Sequence, residues 1–94
     1  MRAHLLLTAK NVADDGSITQ IIVWELPAAL EPCTHRYKYR LYYGADGVSR
    51  VRYDNELGKG DHRHVGGRQQ PYSFTTVEQL LIDFERDCEQ WSEP

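Results

Sequence analysis

Hydrophobic and polar positions keep a period of two as far as Phe74, then change to a period of three to four. His4 to Ala9 alternates weakly and opens a β-compatible run, which predicts a first strand over 3–12. Ala13-Asp14-Asp15-Gly16-Ser17 is a turn. A second strand over 18–26 follows, and the two make a hairpin. Ile22, Trp24 and Leu26 share one face of it, and Ile21, Val23 and Glu25 the other. Faces so apolar on both sides mark a central strand or one covered twice. Pro27 to Thr34 holds two prolines and reads as a connection.

From His35 to Tyr43 the alternation is strict. Tyr37, Tyr39, Leu41 and Tyr43 point one way, and Arg36, Lys38, Arg40 and Tyr42 the other. Gly44-Ala45-Asp46-Gly47 turns the chain. Val48 to Asp54 returns with Arg50, Arg52 and Asp54 on one face and Val51 and Tyr53 on the other, which lays two basic rows side by side. Tyr53 to Arg68 carries four glycines and few large apolar side chains, so it reads as a polar loop displayed by the scaffold. Pro71 to Phe74 is expected as a short edge strand. Thr75 and Thr76 begin overlapping capping boxes. Beyond them Val77, Leu80, Leu81, Phe84, Cys88 and Trp91 step by three or four, with Glu78, Asp83, Glu85, Asp87 and Glu89 on the other faces. That predicts an amphipathic helix over 76–91. The expected fold is α+β: an antiparallel sheet of four to five strands with one C-terminal helix on a face.

Ninety-four residues are read as one domain, 1–94. No apolar run reaches the roughly 20 residues of a membrane span, and Met1–Lys10 lacks the pattern of a signal peptide. The expectation is a cytoplasmic protein without a membrane partner. Cys33 and Cys88 fit free thiols better than a disulfide or zinc framework. The formal charge of −3 conceals segregation: Cys33 to Arg68 holds eight Lys/Arg against four Asp/Glu, and acidic segments flank it.

His62 and His64 are the first candidates for chemistry. In an extended segment their spacing puts both imidazoles on one side. They could divide acid and base roles in cleaving a phosphodiester, or ligate a metal with Asp54 or Asp61 as third ligand; they could equally serve only to hydrogen-bond the loop. Two ligands alone make a weak metal site, so no metal or cofactor is expected. Arg36, Lys38, Arg40, Arg50 and Arg52, with Tyr42 at their edge, form a patch suited to RNA phosphates and bases. Lys59, Arg63 and Arg68 add to the same field. Gly58-Lys59-Gly60-Asp61 lacks the pattern of a phosphate loop.

HRYKYRLYYG (residues 35–44) followed by VRYDNELGKGDHRHVGG (51–67), with a Trp-x-Leu-Pro stretch before and Pro-Tyr-Ser-Phe and a helix after, resembles the TumE family of toxins. The likeness spans nearly the whole chain. The family's polar motif falls here on Arg52, Asp54, Asn55, Lys59, Gly60, His62, Arg63 and His64. The resemblance implies a toxin held by an antitoxin from a neighbouring gene. Asn55 enters the candidate binding set through this resemblance. Two functions follow: a metal-independent endoribonuclease using His62, His64, Lys59 and Asp54, or a non-catalytic module binding RNA or protein. In the first, Lys59, Arg63 and Arg52 steady the phosphate, and Asp54 orients a histidine or ties the loop. The pattern leaves self-association open.

Overall fold

A computed structural model describes residues 3–92. Six strands, β1 (His4–Val12), β2 (Ile18–Glu25), β3 (Tyr37–Ala45), β4 (Val48–Glu56), β5 (Gly60–Val65) and β6 (Arg68–Pro71), precede one helix, α1 (Val77–Ser92). The strands lie in chain order in one sheet, each antiparallel to the next. This corrects the expectation of four to five strands. The polar stretch 53–68 is the end of β4, a turn, all of β5, a second turn and the start of β6.

Physical reasons for that correction lie in the stretch itself. Gly58 and Gly60 adopt φ of 83° and 77°, and Gly66 adopts 64°, angles that β-branched and bulky residues resist. They supply the two turns that split the stretch into strands. Neither face of β5 is apolar, because one meets Tyr53 and α1 through polar groups and the other is open. Alternation of hydrophobicity therefore gave no sign of a strand. The expected edge strand is displaced as well: β6 ends at Pro71, and Tyr72 to Thr76 crosses onto the helix without regular structure.

Cross-strand register divides the sheet into two faces. On one, Val23, Tyr39, Leu41, Tyr43, Val51 and Tyr53 form the core with Leu80 and Phe84 of α1. Tyr53 meets the Phe84 ring edge-on at 5.9 Å between centroids. Thr76 caps the helix: its Oγ1 accepts from Gln79 N at 3.0 Å and its carbonyl from Leu80 N at 3.0 Å. Leu80 and Phe84 are fully buried, whereas Trp91, at the far end of the expected stripe, is 43% exposed.

The opposite face has no helix. Two rows run straight across it. Thr8, Ile22, Arg40, Asp54, His62 and Pro71 face one another strand by strand; Lys10, Gln20, Tyr42, Arg52, His64 and Gln69 form the adjacent row. The expected alternation of β3 and most of β4 is thus observed. Arg50 departs from it. Pairing shifts between Tyr43 and Gly44, so β4 carries an extra residue there. Arg50 turns to the helix face, where its Nη1 donates to Tyr43 Oη at 3.1 Å and its guanidinium lies 5.6 Å from the Tyr43 ring and 5.9 Å from the Trp91 ring. Gly44 permits the bulge, since a Cβ there would lie 2.5 Å from Val48 O and 2.3 Å from Tyr42 Oη.

Candidate active site on the open face

The antiparallel pairing of β4 with β5 sets Asp54 opposite His62 and Arg52 opposite His64. Side chains of directly opposed residues are near neighbours, and here they join into one chain of contacts. His62 Nδ1 lies 3.2 Å from Gly60 O, and His62 Nε2 lies 2.6 Å from Asp54 Oδ1. Asp54 Oδ2 lies 3.2 Å from Arg52 Nε, and Arg52 Nη2 lies 2.9 Å from His64 Nε2. The two imidazoles meet edge to face, 5.4 Å between centroids. Asp54 and His62 are buried, while His64 and Arg52 are partly open to solvent.

Proton positions follow from what each partner can do. A guanidinium only donates, so His64 Nε2 must be the acceptor, and His64 is neutral with its proton on Nδ1. Burial, then Arg52 and His62, push the His64 pKa down, outweighing the pull of Asp54. Both nitrogens of His62 face oxygens that only accept, Gly60 O at Nδ1 and the Asp54 carboxylate at Nε2. The charged contacts around Asp54 are oblique. Asp54 Oδ1 and Arg52 Nε are buried without a well-directed hydrogen bond, so charge rather than alignment holds this part of the network.

Around it the open face is basic. Lys38, Arg40 and Tyr42 stand on β3 with the Arg40 guanidinium 5.9 Å from the Tyr42 ring, and exposed Arg36 is in step with them. Lys59 lies in the β4–β5 turn, 3.4 Å from Glu56, and lines with His62 a cavity of about 280 Å³ at the β5–β6 edge.

Four residues from the expected set lie elsewhere. Arg50 is on the helix face, as above. Arg63 donates there to Tyr53 Oη at 3.1 Å, Asp87 Oδ2 at 3.2 Å and Gln70 Oε1 at 3.1 Å. Arg68, paired with Val65, lines a helix-side cavity with Arg63 and Arg86. Asn55 is 1% exposed. Its side chain accepts from Tyr39 N at 3.0 Å and donates to Tyr37 O at 2.7 Å, tying the start of β3 to the end of β4 where strand pairing stops. Arg50, Arg63 and Asn55 are tied into the fold by these contacts, and Asn55 also borders an open-face cavity over β2, β3 and β4.

A second polar cluster, on the helix face, escaped the sequence reading. Asp61 Oδ1 accepts from Tyr39 Oη at 2.6 Å and from His35 Nε2 at 2.8 Å. His35 Nδ1 accepts from Tyr37 N at 3.1 Å, and its ring stacks on Phe74 at 3.8 Å. The available signal was phase: His35 is in step with Tyr37 and Tyr39. Asp61 is therefore not a partner for His62 and His64.

Two triples among the described residues could each offer three ligand atoms within 4.8 Å of one another: Asp54 with His62 and His64, and Cys33 with His35 and Asp61. In the first, a permanent cation, Arg52, already stands against two of the three residues. In the second, His35 receives an N–H at Nδ1, which keeps a proton on Nε2 and opposes a metal there. Burial, with Asp61 close by, also pushes the Cys33 thiol up, away from the thiolate a metal needs.

Comparison with known proteins adds one decisive observation: the family model described as Toxin TumE matches residues 2–92. The chain belongs to the TumE toxin family. No curated protein and no solved structure matches it. The TumE match covers all six strands and the helix, so the Asp54–His62 and Arg52–His64 pairs lie within the matched region. No helix among the described residues is long and apolar enough to cross a membrane.

Proposed function

We propose that this TumE-family chain is the toxin of a toxin–antitoxin pair and acts in the cytoplasm as a metal-independent endoribonuclease on its open face. The observation that carries this reading is the pairing of a neutral imidazole, His64, with an imidazole held between two acceptors, His62, through Arg52 and Asp54 on a basic surface. Neighbouring imidazoles with different partners, one facing a permanent donor and the other two acceptors, are suited to divide base and acid roles.

The reaction is a transesterification within the RNA chain, in which a bond from the 2′-oxygen to phosphorus forms and the bond from phosphorus to the 5′-oxygen breaks. An arriving phosphate draws Arg52 from His64 and frees the Nε2 lone pair. His64 takes the proton of the 2′-hydroxyl, and the 2′-oxygen attacks phosphorus. His62 protonates the departing 5′-oxygen, leaving a 2′,3′-cyclic phosphate and a 5′-hydroxyl end. Arg52, Arg40 and Lys59 balance the charge that builds on phosphate, and Asp54 holds His62 in place. Lys38, Arg36 and Tyr42 extend the grip along the strand.

Purified chain should cleave RNA fully in EDTA. His64→Ala and His62→Ala should each lose roughly 10²–10⁴-fold, the usual worth of a general acid or base. Loss of cleavage in EDTA with recovery on a divalent ion would transfer the chemistry to a metal on Asp54, His62 and His64. A folded chain that binds RNA and never cuts it would leave the non-catalytic binding module.

A further inference from the structure

We infer that the open face carries a seat for one unpaired nucleobase beside the His62–Asp54 pair, with Trp24 as its stacking platform. This rests on the RNA-cleaving reading for its biological use, and on Trp24 and Ile22, which that reading does not use, for its stacking surface. A cavity of about 240 Å³ lies over β2, β3 and β4, lined by Ile22, Trp24, Lys38, Arg40, Asp54 and Glu56. Pockets for drug-sized ligands run to roughly 300–1,000 Å³, so this one suits a single ring system.

Its composition suits a base attached to its phosphates. Trp24 pairs with Lys38 and Ile22 pairs with Arg40 across β2 and β3, so each apolar side chain has a cation directly opposite. Trp24 and Ile22 remain only half-buried, because α1 covers the other face of the sheet. An indole with cations at its border is the arrangement used for sequence-tolerant binding of single strands, where every base offers a π face and the phosphates meet Lys and Arg. Duplex RNA keeps its bases stacked inside, so the seat selects single-stranded segments.

Position links the seat to the reaction. Ile22, Arg40, Asp54 and His62 stand in one cross-strand row. Asp54 borders both the cavity and the His62 contact. From β3 to β5 is two strand spacings, roughly 10 Å. A base seated here therefore belongs to a nucleotide near the scissile phosphate and not to the phosphate facing His64 itself. The seat fixes the register of the strand over the two histidines.

Trp91 is the other tryptophan of the chain, so Trp91→Phe makes Trp24 the sole indole emitter. In that variant, a short 2′-O-methyl oligonucleotide, which lacks the attacking hydroxyl, should quench the fluorescence in a saturable way. Measured by anisotropy of the labelled oligonucleotide, Trp24→Leu should weaken binding about tenfold or more, and Trp24→Phe should keep most of it. Cleavage by Trp24→Leu should show a raised KM with His64 still essential. Unchanged affinity in a folded Trp24→Leu chain, or binding without quenching, would overturn the seat while leaving cleavage at His64 intact. Failure of wild-type chain to bind the oligonucleotide would also overturn it, and cleavage of natural RNA would then decide the nuclease reading separately.

Discussion

Asn55 and Arg63 look on paper like members of the polar motif that touch substrate, yet each is tied into the fold. Replacing Asn55 by Ala leaves Tyr39 N and Tyr37 O without partners at the edge of the core, which should cost about 1–3 kcal/mol. Arg63→Ala removes the cation that faces buried Asp87 and Tyr53. It should lower the midpoint of thermal unfolding, and the folded fraction should still cleave RNA at the wild-type rate. Arg52→Ala should also lower stability, because it removes the cation facing buried Asp54, but its folded fraction should lose most of the cleavage. A denaturation curve and a rate for each variant separate these roles. Nothing in residue type distinguishes Arg52 from Arg63. Only their phase on neighbouring strands does, and β5 was not legible as a strand.

At the scale of elements, periodicity was a good guide where one face of a segment is apolar. β1 to β4 and α1 were legible for that reason. β5 and β6 were not, because their residues are polar on both faces. The bulge at Gly44 was equally hidden, since one extra residue leaves no mark in composition yet sends Arg50 to the helix face. On α1 the acidic positions were read as outward. Two of them turn in: Asp83 Oδ2 accepts from Tyr72 Oη at 2.6 Å, and Asp87 accepts a short hydrogen bond from Tyr53 Oη. Burial and these carboxylates raise the pKa of both tyrosines, so neither titrates near neutrality. The apolar stripe still anchors the helix. Phe84→Ala should cost about 3–5 kcal/mol in urea or thermal unfolding, and a loss under about half a kcal/mol would mean that the helix does not rely on it.

For the molecule as a whole, the sheet has two unlike faces: one builds the core with α1, and the other has no helix over it. The basic patch of Arg36, Lys38 and Arg40 is the surface we expect an acidic segment of the antitoxin to cover, blocking RNA by occupying the same cations. Arg36→Glu with Arg40→Glu should weaken association with the neighbouring-gene product and flatten its salt dependence; unchanged affinity and salt response would place the antitoxin elsewhere. In the proposed mechanism a neutral His64, held by Arg52, serves as the base. The most direct test is the pH profile of kcat/KM for RNA cleavage in EDTA. The base form exists above the His64 pKa, which the fold lowers from 6.5, so the acid limb should fall below the ordinary histidine range in a bell-shaped curve. Arg52→Gln, which removes the nearby cation, should move that limb to higher pH as well as slow the reaction. A limb that stays in place when Arg52 is removed, or a profile without an acid limb, would mean that His64 is not a base tuned by Arg52.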